Sequence, residues 1–311
     1  MIPVAIIGAG IAGLGCARRL VQAGVDPVLF DKGRGIGGRV ATRREGGLQF
    51  DHGAQYVTAR SAEFAVMLRG LAATGGVADW DDGTGRNKVV GTPGMSALAK
   101  AMGADLDVRQ NAQVTSVVAA DGGWLLRVGN EDFRAARVVI TVPAPQVAGL
   151  LGADHPLVGA LAPVRIDPCL TLMAAVRGPA PFITRTDPGD DLAWIAHDSS
   201  KPGRAAGDTL AWVAQAGLTF STANLEKTAT EIADLMVPLL CDRLGADMGS
   251  VSHAAAHRWR YARVAAPLGQ PFLRSPDATL YLGGDWCIGA RIEAAWASGI
   301  AVADDLLAQW R

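Results

Sequence analysis

The stretch Val4-Ala5-Ile6-Ile7-Gly8-Ala9-Gly10-Ile11-Ala12-Gly13 decides the reading of this 311-residue chain. Val4 to Ile7 is a short apolar run suited to a buried parallel strand. Three glycines at G-x-G-x-x-G spacing then turn it into a helix predicted from Ile11 to Ala23. Gly8 permits the tight turn, Gly10 lets a pyrophosphate approach bare backbone, and Gly13 lets helix and strand pack closely. The unpaired N–H groups and partial positive charge at the helix start favour a phosphate bridge. A second apolar run, Pro27 to Phe30, ends in Asp31, whose carboxylate can accept hydrogen bonds from an adenosine ribose. Strand, glycine turn, helix and acid together specify a dinucleotide site.

Composition bounds the rest. Half of the residues are hydrophobic, so a sizeable core is expected. Lys and Arg number 29 against 30 Asp and Glu, a formal charge of −1, which gives no electrostatic reason to expect nucleic acid or an anionic membrane. The four cysteines (Cys16, Cys169, Cys241, Cys287) are scattered and no histidines cluster with them, so neither a disulfide framework nor a metal site is expected. The apolar N-terminus lacks a basic leader, and Arg18-Arg19 interrupt it within the predicted helix. A soluble, cytoplasmic protein is the expectation.

Working outward from the first turn, Lys32-Gly33-Arg34-Gly35-Ile36-Gly37-Gly38-Arg39 is a loop whose glycines bare backbone N–H groups, with Arg39 placed to meet a phosphate. Leu48 to Val57 reads as strand-turn-strand. Within it Gly53 and Ala54 leave room for a flat group, Gln55 and Tyr56 are candidates to touch a ring system, and His52 reads as structural. Ser61 to Ala73 carries apolar residues at helical spacing, Asp79 to Lys88 reads as a loop or hairpin, and a helix runs to Met102. Val108 to Val118 and Trp124 to Val128 read as strands around an Asp121-Gly122-Gly123 turn, and Arg137 to Val142 as another.

From Gly149 to Ala266 alternating strands (Cys169 to Val176, Leu192 to His197, Thr209 to Gln215) and an amphipathic helix, Leu225 to Leu244 with Pro238 inside, predict an antiparallel sheet with helices. Finally Ala278-Thr279-Leu280-Tyr281-Leu282-Gly283-Gly284-Asp285 is a second strand that runs into glycines and an acid. A helix from about Ala290 to Gln309 follows it, so one long cofactor would be held from both ends of the chain.

These residues resemble a known group. Gly8-x-Gly10-x-x-Gly13, Asp31, Gly37-Gly38-Arg39 and Gly284-Asp285 are similar to the FAD signature of the flavin amine oxidase superfamily. Asp31 to Arg44, Asp51-His52-Gly53-Ala54-Gln55-Tyr56, Ser199 to Arg204 and His257 to Ala262 resemble bacterial renalase-like flavoproteins. The resemblance implies an α/β fold: a Rossmann-type FAD-binding domain (1–60, 92–148 and 275–311) interwoven with an antiparallel-sheet, α+β substrate domain (61–91 and 149–274).

It also implies noncovalent FAD, held by Gly8, Gly10, Ala12, Gly13, Asp31, Lys32, Gly37, Gly38, Arg39, Gln55, Tyr56, Val114, Gly284, Asp285, Ile292 and Glu293. Trp194, His197, Trp212, Gln215, Trp259 and Trp286 are candidates for a substrate pocket. The implied reaction is oxidation of 2- or 6-dihydronicotinamide isomers of NAD(P) by oxygen. This chain departs from such relatives at Gln215 and Phe220, where histidine and tryptophan are common, and at His197-Asp198, where an Arg-Asn pair is. Hydride transfer to a flavin requires no dedicated acid or base, and no catalytic residue is assigned. The alternatives are an oxidase or dehydrogenase of a small amine and a non-catalytic flavin-binding protein.

Overall fold

Period-two alternation along the first strand sets the layers. In the computed structural model, which describes residues 1–204 and 207–310, strand β1 (Ile2–Ile7) turns Val4 and Ile6 to one face and Ala5 and Ile7 to the other. The expected domain boundaries thus include residues 205, 206 and 311, which lie outside the described residues. Helix α1 (Ile11–Gln22) and the final helix Ile292–Ala308 cover the first face, while the meander Val114–Ala120/Gly123–Val128 and the helix Ala144–Leu151 cover the second. Burial on both faces explains why β1 reads as an unbroken apolar run.

The sheet order is Phe272–Arg274, Leu280–Gly283, Glu131–Ile140, β1, β2 (Pro27–Phe30), Asp107–Arg109, with all but the first of these parallel. This is a Rossmann-type α/β sheet. Gly8 sits at φ +104°, closed to most side chains. A Cβ on Gly13 would overlap the Gly8 carbonyl oxygen, and one on Gly299 would overlap the Ala12 carbonyl. The first and last helices therefore cross backbone to backbone.

A second, antiparallel sheet runs Thr184–Thr186, Trp194–His197, Thr209–Gln215, Arg165–Arg177, Val251–Ala266. One face presents Leu170, Leu172, Trp212 and Ala214 to the helix Ala229–Leu244, through Ile232, Met236 and Leu240. The other turns Met173, Ala175, Ala211 and Val213 toward Phe50, and so toward the segment after the first glycine turn.

Four predicted elements differ. Leu48–Asp51 pairs with Thr42–Glu45, and the second strand expected up to Val57 is absent because the chain is pressed against Arg39: Ala54 N–H donates to its carbonyl at 2.9 Å, leaving no room for a Cβ at Gly53. The run Val108 to Val118 divides into Asp107–Arg109 and Val114–Ala120, split where Asn111 takes φ +53°. The helix predicted from Leu225 starts at Ala229, because Thr228 and Glu231 form a reciprocal capping box. At the C-terminal corner the strand is Leu280–Gly283, and a short helix, Asp285–Ile288, precedes the final one. Among the described residues no helix is long and apolar enough to cross a membrane.

The substitution Gly299→Val is expected to destabilise the protein by about 3 kcal/mol, because the backbone crossing cannot admit a side chain. A urea-melt midpoint unchanged from wild type would contradict that packing.

Candidate cofactor and substrate site

The first corner has the features the sequence predicts for a dinucleotide site. Helix α1 begins after Gly10 with no side-chain cap and no acid in its first turn, so its leading N–H groups have no intrahelical partner. A Cβ on Gly10 would meet nothing within 4 Å, so the space before the turn is open. Asp31 closes β2: its Oδ2 accepts from Ala9 N–H and its Oδ1 from Gly33 N–H, both at 2.7 Å. Lone pairs remain on both oxygens for a ribose. Gly37 N–H donates to the Ala9 carbonyl at 2.8 Å, which lays Gly37 and Gly38 beside Gly10. Val114 opens its strand close to Asp31, whose backbone pairs with Arg109 and Ala112. Ala12 is buried behind the turn. Lys32 is exposed and its ammonium reaches Gln146 Oε1 at 3.3 Å, away from the turn.

The second corner is joined to the first by one ion pair. Arg39 Nη1 and Nη2 donate to the Asp285 carboxylate at 2.8 and 2.6 Å, and Nη1 also to the Ala262 carbonyl at 3.0 Å. Arg39, read as a phosphate ligand, is thus first a clamp between Asp285 and the second sheet. Gly284 and buried Asp285 precede the final helix. Ile292 starts that helix, and the Glu293 carboxylate accepts from Ser61 N–H at 2.7 Å and Arg60 N–H at 3.0 Å. Cys287 is fully buried, and burial pushes its thiol up to about 12, so it stays protonated and offers no thiolate for a covalent tether. The open glycine corner, the uncapped helix and Asp31 all fit FAD.

Beside these corners the second sheet forms a wall. Gln55 and Gln215 both donate to the Gly53 carbonyl, at 3.2 and 2.7 Å. Trp194 lies across from Gln215 in register, Tyr56 packs 5.8 Å from the Trp194 ring, and Trp259 donates to the His52 carbonyl at 2.7 Å. Three of the expected pocket residues are elsewhere. Trp212 and His197 stack on each other, 5.0 Å apart, on the opposite face of the sheet, because period-two alternation sends them toward the Ala229–Leu244 helix. Trp286 is a core residue whose indole N–H donates to the Val142 carbonyl at 3.0 Å.

Behind the wall lie charges that sequence reasoning missed. Asp51, Asp198, Lys201 and Arg204 are buried together. Lys201 Nζ is 3.1 Å from Asp51 Oδ2, 2.5 Å from Asp198 Oδ1 and 3.3 Å from Gln55 Oε1, and Arg204 pairs with Asp51. Asp51 Oδ1 also accepts from Thr42 Oγ1 at 2.6 Å and Met95 N–H at 2.8 Å. Burial raises Asp51, but Lys201 and Arg204 outweigh it and hold the carboxyl below its ordinary range. In Asp198 burial prevails over Lys201, and the carboxyl is raised. The segment Asp51–Tyr56, read in sequence as a ring-contact stretch, and Ser199–Arg204, singled out only by resemblance, are thus two halves of one ion cluster that grips Gln55. A second buried pair, Lys88 with Asp82, carried no sequence signal, although the stretch that holds it, read as a loop or hairpin, is the hairpin Val77–Trp80/Lys88–Gly91. Among the described residues no group of three or more His, Cys, Asp or Glu could hold a metal ion.

Two stability outcomes follow from these environments. Lys201→Met leaves two buried carboxylates with Arg204 as their one remaining cation in the cluster and is expected to cost about 3–5 kcal/mol, read by chemical denaturation. His52 is depressed to about 4, by burial first and then by His257. Between pH 6.5 and 4 the unfolded chain binds a proton at His52 that the folded chain refuses, so stability falls as pH falls through that window. His52→Asn should flatten the decline; an unchanged slope of melting temperature against pH would refute the assignment.

Comparison with known proteins fits this geometry. A model of the NAD(P)-binding Rossmann-like domain matches residues 6–71, and one of flavin containing amine oxidoreductase matches residues 77–307. Solved structures with the same fold include a protein assigned as a protoporphyrinogen oxidase from Exiguobacterium sp. 255-15 (TM-score 0.79, 14% identity, 99% of each chain). They also include putrescine oxidase bound to putrescine (0.71, 14%, 98% of this chain and 99% of that one) and cyclohexylamine oxidase from Brevibacterium oxydans IH-35A (0.76, 13%, 98% of each). A curated relative, the small chain of glutamate synthase [NADPH] from Halomonas elongata, is 71% identical over 35 residues, which span 11% of this chain and 7% of that one. The matched model covers most of the sequence, and the chain belongs to the flavin-containing amine oxidoreductase family as an FAD-dependent oxidoreductase.

Proposed function

We propose that the protein oxidises the 2- or 6-dihydro isomers of NAD(P)H to NAD(P)+, with oxygen as final acceptor and hydrogen peroxide as product. When bound, FAD supplies the two-electron acceptor for such a substrate. The observation that carries this reading is the pairing of charge at the wall: Asp51, Asp198 and Asp82 are each matched by Lys or Arg, and the rings of Tyr56 and Trp194 lie beside them. A cationic amine finds no free carboxylate there, whereas an uncharged planar ring finds flat partners. The resemblance of Asp51–Tyr56, Ser199–Arg204 and His257–Ala262 to renalase-like flavoproteins supports the same substrate class.

In this reading the chain's work is binding and orientation. Gly8, Gly10, Gly13 and the start of α1 hold the pyrophosphate, Asp31 the ribose, and Asp285, clamped by Arg39, the middle of the cofactor. Tyr56 and Trp259 bound the ring of the substrate. Trp194, paired in register with Gln215, adds a third ring beside them. The substrate gains aromaticity as it loses hydride, so orientation and exclusion of water are what the protein must provide.

Anaerobic titration of the FAD-loaded protein tests this. Borohydride-reduced NAD, which contains the dihydro isomers, is expected to bleach the oxidised-flavin absorbance rapidly, and cyclohexylamine is not. Bleaching by amines alone would establish an amine oxidase instead, and bleaching by neither would leave a flavin-binding protein without this activity. Asp31→Ala is expected to weaken FAD binding about tenfold or more, through loss of charge-assisted hydrogen bonds. Calorimetry returning wild-type affinity would remove Asp31 from the ribose.

A further inference from the structure

Tyr56, Trp80 and Trp194 form a three-sided aromatic cage, and its centre holds an ammonium from the chain itself. Lys88 Nζ lies 4.6, 5.7 and 5.4 Å from the three ring centroids, and Lys88 is only 3% exposed. Asp82 closes the fourth side, paired with Nζ and itself held by Thr184 Oγ1 at 2.9 Å and Thr84 Oγ1 at 2.5 Å. Aromatic faces attract cations through their quadrupole, most strongly when water is excluded, and this chemistry recognises alkylammonium ligands. Burying a lysine carries a large desolvation cost, and an apolar side chain of similar reach would fill the same space without it. The cage is continuous with the wall: Tyr56 follows Gln55, and Trp194 faces Gln215 in register. An alkylammonium approaching this wall meets rings already occupied by a cation and a carboxylate already neutralised.

We propose that Lys88 determines specificity at this site: its ammonium is a resident occupant that closes the aromatic cage to cationic amines and leaves the accessible surfaces of Tyr56 and Trp194 to an uncharged planar substrate. The proposal rests on the reading that this face of the second sheet receives the substrate.

The test is rescue of Lys88→Ala in the FAD-loaded protein by n-propylammonium chloride, with 1-butanol as uncharged control. The ammonium is expected to raise the melting temperature of Lys88→Ala and to quench its tryptophan emission saturably. Both effects should appear at a concentration at least about tenfold below any effect on the wild type, and 1-butanol should do neither. Should the lone Asp82 carboxylate prevent Lys88→Ala from folding, the double variant Lys88→Ala/Asp82→Asn is read by fluorescence alone, with the same quench expected. Equal binding by wild type and variant, or no binding by a folded variant, overturns the proposal. Neither readout involves flavin reduction. Discrimination against the ammonium with no bleaching by dihydronicotinamides would therefore reject the proposed substrate while leaving the role of Lys88 intact.

Discussion

The bidentate pair between Arg39 and Asp285 is the constraint on which the site depends. The two residues are 246 positions apart, and each belongs to a glycine-containing corner that faces the cofactor space. The guanidinium meets both carboxylate oxygens and the Ala262 carbonyl at once, so a single planar group joins the first corner, the last corner and the second sheet. A lysine could supply the charge but not the fork. The same closure recurs in the backbone, where Gly299 lets the final helix rest on the carbonyl of Ala12. The cofactor corner exists only once the two ends of the chain have met.

Charge is handled in the opposite way behind the wall. There Asp51, Asp198, Lys201 and Arg204 balance one another out of water, and Lys88 balances Asp82. Trp80 stands between the two groups, its ring 5.2 Å from Lys201 Nζ and 5.7 Å from Lys88 Nζ, with its indole N–H donated to Ser200 Oγ at 3.1 Å. Buried ions of this kind add little net stability, but removing one partner is severe, so the wall is held in one arrangement. The rings of Tyr56 and Trp194 lie beside these paired charges, and the proposed preference for an uncharged heterocycle over a cation rests on that arrangement.

How much of this was legible follows from the range of each interaction. The glycine spacing, Asp31 and the two apolar strands are local patterns, so the first corner and the Rossmann-type sheet could be read from the sequence. The late strand–glycine–acid unit was legible for the same reason, although its short extra helix was not. Elements failed where distant contacts override local preference: the segment after Asp51 loses its second strand to Arg39, and Val108 to Val118 breaks at Asn111. Among the tryptophans, residue type said nothing of direction. Trp212 and Trp194 sit on adjacent strands of one sheet and face opposite layers.

The sequence by itself determined a β–α turn at Gly8 to Gly13 of the kind that suits a dinucleotide, because that turn is made by neighbours in the chain and its backbone geometry needs glycine there. Only the tertiary structure decided what surrounds the substrate face. In one dimension Lys88 closes a stretch read as a loop or hairpin, and Lys201 and Arg204 belong to a segment marked only by resemblance. They become buried counter-charges because Asp82, Asp51 and Asp198, brought in by folding, supply at short range the compensation that water supplies to an exposed lysine or arginine.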